Sequence, residues 1–163
     1  MAINAHGVVV GFSNVSAADG GAFRARAFVW TARSGMQDLG TLPGDAYSQA
    51  LGVNARGQIV GTSCTAGFAS CRAFLWQRGV MTDLDALVAP GYADHLFTAN
   101  DIDDAGVITG QAVVHDTNAA VAFVARPTFM VAPPGAPVAH TLPEVARAAL
   151  LARSWIEAAD LAR

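Results

Sequence analysis

Along the first 130 positions the apolar residues come in short consecutive runs, such as Val8-Val9-Val10, Ile59-Val60 and Phe74-Leu75-Trp76, separated by clusters of glycine, asparagine and aspartate. β-branched and aromatic residues at neighbouring positions predict strands covered on both faces, so the sheets should stack on one another. The pattern also recurs. Ile3-Asn4-Ala5-His6-Gly7 aligns with Val53-Asn54-Ala55-Arg56-Gly57 and with Ile102-Asp103-Asp104-Ala105-Gly106, at offsets of 50 and 49 residues. Val8-Val9-Val10-Gly11, Gln58-Ile59-Val60-Gly61 and Val107-Ile108-Thr109-Gly110 follow directly, and Ala27-Phe28-Val29-Trp30, Ala73-Phe74-Leu75-Trp76 and Ala122-Phe123-Val124-Ala125 form a second block.

The shared Asx-x-x-Gly element predicts a tight turn at Asn4–Gly7, Asn54–Gly57 and Asp103–Gly106. The Asx side chain can bond the backbone two residues on, and glycine accepts a positive φ. Turn signals at roughly 8 to 12 residue spacing give about four strands per repeat, the make-up of a β-propeller blade. The expected fold class is all-β, with about three propeller-like four-stranded blades over residues 1–131. Closed propellers have roughly four to eight blades, so three imply a longer array or a ring completed by association of two copies. In that ring the exposed end faces would carry Val8, Val10, Phe28 and Val29 at one end and Ile108, Phe123 and Val124 at the other.

Beyond the repeats the pattern changes. Prolines 127, 133, 134 and 137 predict an extended linker over residues 132–140, after at most one more strand at 128–131. Thr141-Leu142-Pro143-Glu144 is a capping box, and an apolar stripe through Val145, Ala149, Trp155, Ile156 and Leu161 predicts an amphipathic helix over 141–163. The acidic residues agree, since all ten before position 140 are aspartate and both glutamates, Glu144 and Glu157, lie in the final segment.

Composition removes several functions. All ten basic residues are arginine, which excludes a phosphate-binding loop that needs lysine and a Schiff-base lysine. A net charge of -3 with scattered arginines leaves no footprint for nucleic acid. No apolar run approaches the ~20 residues of a membrane span, and the first residues, Met1 to Gly7, show no signal-peptide pattern.

The candidate chemistry is sparse. Cys64 and Cys71 flank a six-residue loop, where an antiparallel hairpin can bring them within disulfide reach; two free thiols are the alternative, and two ligands alone make no zinc site. The acidic run 101–106 lacks the later ligands of a calcium loop. The histidines at 6, 95, 115 and 140 form no metal motif. Asp38 and Asp83 recur at one repeat position and are read as strand-end or turn residues, with a hydrolase site built from them and a histidine as the rival reading. Trp30 and Trp76 stand at equivalent places, either as a platform for a carbohydrate or peptide or as packing between blades. No catalytic residue, metal or cofactor is expected.

Three stretches resemble the HAF-repeat family, bacterial proteins described as extracellular repeat proteins. These are Arg26-Ala27-Phe28-Val29-Trp30, the run from Met36-Gln37-Asp38-Leu39-Gly40-Thr41-Leu42-Pro43-Gly44 to Ser48-Gln49-Ala50-Leu51-Gly52-Val53-Asn54, and Arg56-Gly57-Gln58-Ile59-Val60-Gly61. The likeness covers about residues 2–126. Arginine replaces the eponymous histidine at Arg26 and Arg72, and Val121 replaces it in the third copy. The resemblance implies an extracellular or periplasmic location. With the repeats it implies a non-catalytic scaffold or binding module, against the alternatives of a hydrolase or an inert fragment of a longer array.

Overall fold

The computed structural model describes residues 1–14, 24–89, 92 and 94–127, and the backbone of 157–158. Among the described residues twelve strands form three four-stranded antiparallel sheets, each joined in chain order. The first holds β1 (Ala2–Ile3), β2 (Val9–Asn14), β3 (Ala25–Thr31) and β4 (Gly35–Gly40), and the second holds β5 (Tyr47–Val53), β6 (Ile59–Cys64), β7 (Cys71–Gln77) and β8 (Val80–Asp83). The third holds β9 (His95–Ile102), β10 (Ile108–Val113), β11 (Ala120–Arg126) and β12 (Glu157–Ala158). Among the described residues the sheets stack without closing into a ring.

Each repeat turn forms between the first and second strands of its sheet. In the first, Asn4 Oδ1 accepts from His6 N and Val8 N, both at 3.0 Å, while Gly7, at φ +75°, donates to Asn4 O. Asn54 repeats this with Arg56 N and Gln58 N, and Asp103 with Val107 N. A short carboxamide or carboxylate thus organises the backbone that the following glycine lets turn.

The first strand of each sheet packs across the sheet before it, β5 against β1, β2 and β3, and β9 against β5, β6 and β7. Alternation along β2 and β3 then divides their runs between two faces. Val10, Ala27 and Val29 pack inward with Ala50, Val53, Ile59 and Phe74 of the second sheet. On the far side of the second sheet, Val60, Ala73 and Leu75 pack with Leu96, Ile108, Phe123 and Ala125.

This corrects the composition expected for the end faces. Val10 and Val29 at one end, and Ile108 and Phe123 at the other, are interior residues. In a two-sided strand only every second residue can face out.

The glycine that ends each repeat's short apolar run is a packing residue. Gly11, Gly61 and Gly110 stand opposite Phe28, Phe74 and Phe123 on the neighbouring strand. A Cβ on Gly61 would lie 1.9 Å from Gln49 O, and one on Gly110 would lie 2.1 Å from Thr98 O. Both carbonyls lie beside a register shift in the inner strand, so the glycine accommodates a bulge.

A buried serine repairs another irregularity. The register shift between Ala27 and Phe28 interrupts the β3–β4 ladder. Ser48 Oγ, on the adjoining sheet, accepts from Ala27 N at 2.9 Å and donates to Gly40 O. At the matching place in the third copy stands Phe97, and β7 pairs with β8 without a shift.

The helix expected over 141–163 lies outside the described residues except at Glu157–Ala158. There the chain is a strand and not helix, pairing with Arg126 and Ala125 of β11. The edge of β11 offers unpaired backbone groups that an extended segment can satisfy. The linker at 132–140 and the strand at 128–131 lie outside the described residues.

Candidate functional site

The second sheet carries a cleft beside its disulfide. β6 and β7 place Cys64 directly opposite Cys71, with Cα atoms 4.0 Å apart and the sulfurs joined as a disulfide. The loop between them is held by Thr65 N donating to Ser70 O and Ser70 N donating to Thr65 Oγ1. It contains a 3₁₀ turn, Ala66–Phe68, in which Gly67 (φ 73°) and Phe68 (φ 59°) are both left-handed.

A bulky residue at positive φ costs on the order of 1 to 3 kcal/mol. The Phe68 ring stacks on Tyr47 with centroids 4.5 Å apart and planes 12° from parallel, which returns roughly 0.5 to 1.5 kcal/mol beyond burial. Phe68 still has 48% of its surface exposed.

Beside this stack a cavity of about 340 Å³ opens between the second sheet and β9, lined by Tyr47, Gln49, Thr62, Phe68, Phe97 and the disulfide. Thr62 Oγ1 donates to Phe97 O at 2.9 Å and ties the two sides together. The walls are mainly apolar, with Ser48 and Thr98 completing the polar part of the lining.

The charged groups of the second sheet are committed to one another. Arg72 Nη1 lies 3.1 Å from Asp83 Oδ2, and its Nη2 donates to Pro43 O. The same Nη2 lies 3.0 Å from Asp45 Oδ2, an almost fully buried carboxylate. Burial opposes the charge on Arg72, but hydrogen bonding and attraction from Asp45 and Asp83 outweigh it and raise the guanidinium pKa above its ordinary value. His95 Nδ1 meets Asp85 Oδ2 and its Nε2 meets Cys71 O, each at 2.6 Å, and Asp85 also accepts from Leu96 N. With both ring nitrogens engaged, His95 offers no free base.

The fold does not pair Asp38 with Asp83. Each instead faces the arginine of its own sheet, Arg26–Asp38 at 3.9 Å and Arg72–Asp83 at 3.1 Å. Asp38 also accepts from Gly40 N, and Asp83 from Asp85 N. Arg26 and Arg72 are therefore the cross-strand partners of the recurring aspartates. Trp30 is 39% exposed on the first sheet, whereas Trp76 packs against the core between the first and second sheets. Asp103 and Asp104 accept from backbone N–H groups of Val107 and Ala55, and among the described residues no group of three potential ligands is placed to hold a metal ion.

Sequence reasoning passed over Tyr47, Phe68 and Phe97. One local signal was present, an aromatic residue beside a glycine at the tip of a cysteine-flanked loop, where an apolar side chain has no local reason to be. Compared with known proteins, the chain matches no family model, no curated protein and no solved structure.

Proposed function

We propose that the chain is a non-catalytic binding module of an extracellular or periplasmic repeat protein, and that its disulfide-braced cleft takes an apolar side chain of an extended peptide. The observation that carries this reading is Phe68, held half-exposed in a left-handed backbone beside the disulfide. A cavity of about 340 Å³ is near the lower end of ligand sites, which span ~300 to 1,000 Å³, and suits one side chain. Of the polar lining residues, Ser48, Thr62 and Thr98 already spend their hydroxyls inside the fold, which leaves few polar groups for a sugar. The disulfide supports an oxidising compartment, and the three stacked sheets are read as propeller-like blades.

A peptide array and a glycan array, each probed with the full chain and with Phe68→Ala, test the reading. Peptides with a central aromatic or leucine should bind the parent and lose at least about tenfold in affinity with the variant. Glycan binding without peptide binding would replace the ligand class. Turnover of a hydrolase substrate abolished by Asp83→Ala would displace the whole reading.

A further inference from the structure

Each sheet meets the next through a turn-to-turn hydrogen bond and a matched pair of faces. Asn4 Nδ2 donates to Asn54 O at 2.9 Å, and Asn54 Nδ2 donates to Asp103 O at 3.0 Å. In both asparagines Oδ1 is already engaged within its own turn. Only the NH₂ group passes on to the next sheet. Asp103 keeps the accepting half, through Val107 N, but has no side-chain donor.

The faces have the same direction. A leading face of small aliphatic residues, Val10-Ala27-Val29 or Val60-Ala73-Leu75, packs on a trailing face that holds an aromatic, Ile59-Phe74 or Ile108-Phe123. The register gives the first sheet an outward trailing face of the same kind, with Val9 opposite Trp30 and Gly11 opposite Phe28. Ile3 and Trp30 are exposed there. The outward leading face of the third sheet is different. It pairs Thr109 with Val124 and Gln111 with Ala122, so Thr109 stands where the earlier sheets have Val10 or Val60, and Gln111 where they have Phe12 or Thr62.

We propose that the outward face of the first sheet is a docking surface for one further sheet of this same repeat, bearing an asparagine in its turn, and that the third sheet ends the stack. The incoming Asn Nδ2 would donate to Asn4 O, which receives Gly7 N just as Asn54 O receives Gly57 N. A small aliphatic leading face would cover the exposed Ile3 and Trp30, beside a Phe28 that is already buried. The third sheet of a second copy is the wrong occupant, because Asp103 brings no donor and Thr109 and Gln111 would be buried against aromatic rings. This disfavours the two-copy ring, in which each third sheet would have to cover a first.

The test joins a second copy of residues 41–89 ahead of Met1 in the full chain and follows hydrogen exchange of the peptide spanning residues 1–14. A companion fusion carries Asn54→Asp, Val60→Thr and Thr62→Gln in the added copy, giving it the character of the third sheet. The first fusion should slow exchange in the 1–14 peptide by about tenfold or more, and the companion should leave it near the parent rate. Equal protection by both fusions, no protection from a folded added copy, or an added copy that exchanges freely throughout would each overturn the proposal. Concentration-dependent protection of this peptide in the unfused chain would assign the face to a second copy and overturn it as well.

Discussion

At the scale of single residues, the neighbour decides what a substitution costs. A Cβ on Gly61 would meet the Gln49 carbonyl, part of the backbone, whereas one on Gly11 would meet the Met1 side chain at 2.6 Å, which can swing aside. Gly61→Ala should destabilise by about 3 kcal/mol or more and Gly11→Ala by about 1 kcal/mol, read from urea unfolding midpoints. The two equivalent arginines divide in the same way. Arg72→Ala strands Asp45, whose side chain is 1% exposed, and should cost about 2 to 3 kcal/mol. Arg26→Ala removes a long contact to an exposed Asp38 and should cost less than about 1 kcal/mol. Because the pKa of Arg72 is raised on folding, its contribution is complete at neutral pH and is lost only in strong alkali. Stability at pH 7 and pH 9 should therefore not differ on its account. The sequence pointed to the recurring aspartates but not to Asp45, because a buried partner from the connection between two sheets leaves no periodic trace.

Among the elements, the turns were the most legible part of the chain. Asn4 with Gly7 and Asn54 with Gly57 work through bonds inside five residues, so local chemistry alone specifies them. The strand count per sheet was legible for a related reason, since apolar runs and turn residues alternate at strand length. Glu157–Ala158 was misread as helix because its extended state comes from the distant edge of β11, which local propensity does not register. The cleft escaped notice for the same reason, as Tyr47 and Phe68 meet across two strands. The disulfide under that cleft closes a loop of seven residues' separation, which in a chain-entropy account is worth about 2.5 kcal/mol. Cys64→Ser with Cys71→Ser should lower stability by roughly that amount and leave the far-ultraviolet circular dichroism sheet-like. It should also weaken peptide binding through loss of order at Phe68, which titration of the double variant against the parent will show.

For the whole molecule, stacking makes the sheets unequal. The second is covered on both faces, whereas the first and third each keep one face outward, apolar in one case and polar in the other. Sequence periodicity revealed that there were ends but gave them interior residues such as Val10, Val29, Ile108 and Phe123, because a run such as Val8-Val9-Val10 does not say which member turns inward. With ends that do not match, the full chain should sediment as a monomer of 16.8 kDa at ~10 µM; a species of twice that mass, lost on Thr109→Lys, would show that the ends do engage. Unfolding should begin in the first sheet, whose inner strand has two residues against seven in the second and eight in the third. The earliest-exchanging amides should then be those of residues 1–14.

The turn-to-turn bonds also give the molecule a way to age. Asn54 is 3% exposed, and its carboxamide nitrogen is shared between Asp103 O and Gln58 Oε1. Spontaneous hydrolysis of that one amide would replace the donor with a carboxylate facing two oxygen acceptors. The contacts between the second and third sheets would then turn from attractive to repulsive with no change in the fold of either. Burial shields the group while the stack is closed, so the conversion would proceed mainly in molecules whose sheets have parted, and each conversion would make the next closure harder. The position that couples two sheets thus also records how often they have separated.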